Sequence, residues 1–201
     1  VLDNDDQPEE NGDASPEDKK GPQAAAQALF KARTILVFGE INQKVSETVV
    51  GSLLAMSSLN DDDIKIVVNS PGGHVESADA IHDMLSFIKP TIRMIGTGWV
   101  ASAGAHIFLG ADKENRYCLP NTRFLLHQPL GGVGGPASDI SIEAKEIIKM
   151  RERLNRIIAK ETGQELERIV RDTDRNFWMT AEEAQDYGLV AHIVDDIDQV
   201  K

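Results

Sequence analysis

The most constraining feature of this sequence is an alternation between two periods. Short β-branched or apolar runs recur along the chain, and each gives way to a stretch of helical spacing. Arg33–Phe38 reads as a buried strand closed by Gly39. Val45–Leu59 then spaces Val45, Val49, Val50, Leu53, Leu54 and Met56 as on one face of a helix. Ile64–Val68 is a second strand, ended by the loop signal Asn69-Ser-Pro-Gly-Gly73, and His74–Ile88 is helical until Pro90 stops it. Thr91–Ile95 is a third strand, followed by small residues from Gly96 to Ala105 and a short apolar helix. Arg123–His127 is a fourth strand. Strands alternating with helices specify an α/β fold of repeated βαβ units, mainly parallel, with right-handed crossovers.

The second half carries one long helix, predicted over Ile140–Glu161, with Ser138 or Asp139 to cap it and Gly163 beyond its end. Such a helix spans roughly 33 Å. In so small a domain it should project and pack against a partner chain. Thr180-Ala-Glu-Glu183 is a capping box opening a short helix. Gly188 closes that helix, and Leu189–Val194 reads as a last strand.

The chain has 201 residues and a net charge of −12, half of it in residues 1–28. That segment holds eight acids, two bases, three prolines and no aromatic residue, so it is predicted to be a mostly disordered tail. Residues 29–201 form the predicted domain. The acidic balance argues against a nucleic-acid partner. No apolar run is long enough for a membrane span. The acidic opening lacks the pattern of a secretory signal, and the single cysteine, Cys118, suits a reducing, cytoplasmic setting. No pair of histidines has metal spacing with a third ligand nearby, so no metal site is expected.

Three features could carry chemistry. Ser102 lies in Gly98-Trp-Val-Ala-Ser-Ala-Gly-Ala105, between a strand and a helix. Small neighbours there allow a sharp turn, and the helix start favours developing negative charge. The run is not G-x-S-x-G, because position 100 is Val. His127 ends a strand, where catalysts collect in parallel sheets. The loop Ser70-Pro-Gly-Gly73 could aim backbone N–H groups at a ligand, but no Walker lysine follows. Taken singly, the serine could be a packing residue or cap, the histidine a satisfied structural one, and the loop a plain turn. Taken in order, they could supply oxyanion donors, nucleophile and base. Among the other histidines only His74, after the glycine pair, invites attention.

These residues resemble a known family. Asn69-Ser-Pro-Gly-Gly73, Ala101-Ser-Ala-Gly-Ala105, Tyr117-Cys-Leu-Pro-Asn121, His127-Gln-Pro-Leu-Gly-Gly132, Arg171-Asp-Thr-Asp-Arg175 and Glu183-Ala-Gln-Asp-Tyr-Gly-Leu189 look like the Clp protease proteolytic subunit, over roughly residues 29–195. The resemblance implies a crotonase-like fold and a serine endopeptidase that acts on unfolded polypeptides inside two stacked heptameric rings, a tetradecamer. It implies Ser102 as nucleophile, His127 as base, and the N–H groups of Gly73 and Ala103 as oxyanion donors. The helix 140–161 matches the handle helix that interlocks the rings, and Asp174 and Arg175 match a charged pair linking ring contact to active-site order. The chain itself would bind no cofactor; ATP would be used by a partner Clp-type AAA+ unfoldase.

Two departures stand out. The family's third triad residue is an Asp, and Asn176 falls at its place. An Asn can accept the imidazole N–H but brings no charge, so a weaker peptidase is expected, one that Asn176→Asp would preserve or raise. Asp172 and Asp174 lie close enough in sequence to be recruited instead. At the start of the chain, only Ala28-Leu-Phe-Lys-Ala-Arg33 resembles the family's opening helix, and the acidic tail stands where an axial gate would be built. These departures motivate a second reading, a weak or regulatory subunit in a mixed ring beside a more active paralogue. A third reading is a crotonase-fold enzyme acting on acyl-CoA thioesters.

Overall fold

A computed structural model describes residues 20–132 and 134–201. The expected tail lies outside the described residues as far as position 19. From Lys20 the chain is helical: α1 spans Lys20–Lys31, beginning inside the segment expected to be disordered. The reason is local. Ala24, Ala25, Ala26, Ala28 and Leu29 are strong helix formers, and a proline at position 22 falls in the first turn, where no intrahelical N–H is needed.

The remaining elements follow the alternation read above. They are β1 Thr34–Ile41, α2 Gln43–Leu59, β2 Ile64–Gly73, α3 Val75–Phe87, β3 Ile92–Ala101, α4 Ala103–Phe108, β4 Arg116–Cys118, β5 Arg123–Leu126, α5 Ala137–Thr162, α6 Leu166–Asp172, β6 Phe177–Met179, α7 Ala181–Tyr187 and β7 His192–Ile193. Strands β1-β2-β3-β4-β7 lie side by side in one sheet, every pair parallel. Alternate residues of β1 and β2 (Val37, Ile64, Ile66, Val68) face Leu53, Met56 and Ile81 of the covering helices, all buried.

The sheet forks at β3. Its first half, Met94–Gly96, pairs with β4, and its second half, Trp99–Ala101, pairs with β5. The fork positions the site, because it sets the ends of β3 and β5 side by side. On its other side β5 takes an antiparallel neighbour, β6, with Leu126 opposite Phe177.

Helix α5 is longer than expected, 26 residues, and starts three positions earlier. Pro136 is its N-cap residue, so Ser138 and Asp139 sit inside the first turn and do not cap it. Its C-terminus ends as predicted, on Gly163 in the left-handed conformation. Only Asn155, Ile158 and Thr162 of α5 are buried. The fully buried Arg116 holds that end, donating to the backbone carbonyl of Glu161 at 2.9 Å and pairing with the Glu161 carboxylate. The N-terminal part stands free, with Ile142 and Ile148 each more than half exposed.

Candidate active site

Ser102 follows the last residue of β3 and precedes the first of α4. Its backbone has φ 54°, a region side chains rarely occupy, at a cost of about 1–3 kcal/mol. Neighbours on both sides hold it there. Its N–H donates to the Leu125 carbonyl at 2.9 Å, and its own carbonyl accepts from the His106 N–H at 3.1 Å. The glycine loop closes over it. A Cβ at Gly72 would sit 2.6 Å from Ser102 Cβ and 3.1 Å from its Oγ, so only glycine allows this approach. Gly72→Ala is therefore expected to displace the hydroxyl and cut peptide hydrolysis by about tenfold or more, measured as kcat/KM.

Gly73, at the end of β2, has φ 146° and lies against Ile41, whose carbonyl oxygen a Cβ would meet at 2.2 Å. Ala103 opens α4, where first-turn N–H groups have no partner within the helix. The two predicted oxyanion donors thus flank the turn that carries Ser102.

His127 lies just past β5, two residues beyond the carbonyl that anchors Ser102. Ser102 and His127 line one small pocket together with Val75, Ala103, His106, Leu126, Pro129, Leu154 and Ile158. His127 is half-buried, and burial pushes its pKa below the ordinary value. The β5–β6 register, continued by one residue, sets Asn176 across from His127. Asn176 is exposed. Among the described residues, Ser102, His127 and Asn176 share the site without side-chain hydrogen bonds to one another.

The two nearby aspartates are engaged elsewhere. Asp172 accepts from the Tyr187 hydroxyl at 2.9 Å and from Arg168 at 3.3 Å. Asp174 accepts from Arg151 of α5 at 3.2 Å and pairs with Arg175 at 3.3 Å on the surface. His74 is the N-cap of α3, accepting from the Ser77 N–H, which is a structural duty. Cys118 is buried, and desolvation pushes its thiol up to about 12, so it offers no competing nucleophile.

One cluster beside the site escaped sequence reasoning. His106, one turn after Ser102, is buried and contacts Asp79 of α3 through Nε2 at 2.8 Å. Asp79 also receives both terminal nitrogens of Arg153 from α5, at 2.8 and 2.6 Å. Burial alone would raise the Asp79 carboxyl, but hydrogen bonds from His106 and Arg153, with their charges, hold it well below the usual range. His82 stacks on His106 with ring centroids 4.4 Å apart. No local motif signals this cluster, since Asp79 and Arg153 are 74 positions apart.

The comparisons with known proteins agree with this architecture. The Clp protease family matches residues 18–196. ATP-dependent Clp protease proteolytic subunit 3 of Rhizobium etli is 60% identical over 186 residues, covering 92% of this chain and 95% of the relative. Proteolytic subunit 2 of Pseudomonas aeruginosa is 56% identical over 165 residues, covering 82% of each chain. Among solved structures, an Asn-to-Asp mutant of ClpP1 from Listeria monocytogenes superposes with a TM-score of 0.83 at 54% identity, covering 88% of this chain and 99% of its own. The unmutated Listeria ClpP1 gives a TM-score of 0.80 at the same identity. On this identity and coverage, the chain belongs to the Clp protease family.

Proposed function

We propose that this Clp-family protease works as a serine endopeptidase with Ser102 as nucleophile, His127 as base and Asn176 as the group that orients the imidazole. The observation that carries the reading is the pocket shared by Ser102 and His127 at the paired ends of β3 and β5. Ser102 Oγ attacks the peptide carbonyl while His127 takes its proton. The N–H groups of Gly73 and Ala103 receive the oxyanion. His127 then protonates the leaving amine, and water, deprotonated by His127, releases the acyl group. Asn176 accepts the Nδ1–H through its side-chain carbonyl and so holds the imidazole in the working tautomer.

The exposed apolar residues of α5, Ile142 and Ile148, support assembly through that helix into rings. The substrates are unfolded polypeptides delivered by a partner ATPase that spends the ATP. Fluorophosphonate labelling read with native mass tests the reading, and the expected result is one label on Ser102 in a ring-sized assembly. Absence of label on Ser102, or turnover of acyl-CoA thioesters in its place, overturns it.

The uncharged Asn176 favours a second reading, in which the chain works in a mixed ring beside a more active paralogue. Hydrolysis then rises on mixing the two subunits, and robust cleavage by this protein alone removes that reading.

The environment of His127 gives a pH expectation. The base acts when neutral. Burial lowers its pKa, so the neutral form persists further into acid. The acid limb of kcat/KM is expected to fall below the ordinary histidine value of about 6.5. A limb at or above that value would show that another group titrates.

A further inference from the structure

The pocket beside Ser102 is lined mostly by apolar side chains, with Ser102, His106 and His127 as its polar members. His106 has no part in the mechanism above, yet its chemistry is fixed with care. Asp79 is an anion and can only accept, so the His106 nitrogen facing it, Nε2, carries the hydrogen. Arg153 fixes the carboxylate with two hydrogen bonds. In the neutral imidazole the other nitrogen, Nδ1, is then an acceptor. That atom is buried and has no hydrogen-bond partner. An unpaired buried acceptor is costly and calls for an explanation. The stacked His82 cannot supply a hydrogen bond across parallel ring faces. The cavity is small, about 30 Å³, room for a methyl-sized or hydroxyl-sized group rather than a ring.

Resting on the reading of Ser102 as nucleophile, we propose that this cavity takes the substrate side chain on the acyl side of the scissile bond, and that His106 makes it select a short branched side chain bearing a hydroxyl, threonine over valine. The threonine hydroxyl donates to Nδ1 and its methyl group meets the apolar wall of Val75, Leu126 and Ile158. Valine fills the same volume but leaves Nδ1 unpaired. Sites built to hydrogen-bond a substrate hydroxyl discriminate strongly against the analogue that lacks it. His106 is thus a specificity-determining residue, and Asp79 and Arg153 are positioning residues that set its tautomer.

The test uses two peptidyl diphenyl phosphonates that differ only in a threonine or valine side chain beside phosphorus. Second-order labelling rates of Ser102 in the full chain are followed by intact mass, which needs no turnover. The threonine probe is expected to react at least about tenfold faster. In His106→Phe the ratio is expected to fall to one or below; as a ratio it is independent of the variant's overall rate. A ratio of one or below in the unaltered protein overturns the proposal without any variant. So does labelling by a simple fluorophosphonate while neither peptidyl probe reacts. If even the simple fluorophosphonate spares Ser102, the parent reading falls, and this one falls with it.

Discussion

Asn176→Asp is expected to raise kcat for peptide hydrolysis, with about 10⁴-fold as the ceiling. That ceiling is the loss seen when a serine protease exchanges its triad Asp for Asn, which disturbs the tautomer and removes the charge facing the imidazolium. The gain here should reach at least about tenfold, since the register sets position 176 across from His127. An Asp there would act at short range on a half-buried imidazole. The same change should raise the His127 pKa, because a nearby anion favours the protonated ring. The acid limb of kcat/KM should therefore move up in pH as kcat rises. Unchanged kcat and an unmoved limb would remove Asn176 from the site. If Asp172→Asn then lowered activity, the third member would be Asp172.

Ser102→Ala is expected to lose peptide hydrolysis down to the level that binding and oxyanion donors alone provide. The size of the fall depends on residue 176. With a complete triad, removing the serine costs about 10⁶ in kcat, and these losses are far from additive. With Asn already in place about 10⁴ of that is forgone, so Ser102→Ala should cost only about 10² in the native background. In the Asn176→Asp background the same substitution should cost up to about 10⁶. Purified variants assayed on one fluorogenic peptide decide the matter. Equal losses in both backgrounds would show that Ser102 and residue 176 do not act as a unit, and unchanged turnover in Ser102→Ala would end the serine mechanism.

Much of the frame was legible in the sequence because strand and helix periods alternate cleanly through residue 127. Strands β1, β2 and β3 are apolar runs closed by Gly or Pro, and α2 and α3 keep one apolar stripe each. The parts not legible are short and depend on tertiary pairing. β4 and β6 have three residues apiece, too few to show a period, and exist because β3 and β5 offer open edges. The start of α5 ran past the expected caps because Pro136 can precede a helix while offering no side-chain oxygen. The start of α1 was hidden by averaging an alanine-rich run with the acidic residues before it.

The site divides in the same way. Ser102, His127 and Gly73 each stand where a strand meets a turn, and such junctions can be read locally. The partnership of Ser102 and His127 depends on the fork of the sheet, which no local pattern reveals. Asn176 was reached by resemblance, and the β5–β6 register supports it by an independent route. His106 went unread because its meaning comes from Asp79 and Arg153, which arrive from two other helices.

The left-handed turn at Ser102 carries a consequence for descent. At φ 54° glycine would be the more comfortable occupant, so the fold is more stable without its nucleophile than with it. Selection for stability alone would drift toward erasing the serine. Its presence in such a conformation is the mark of a chain still held to a chemical task, whatever the weakness of its third residue.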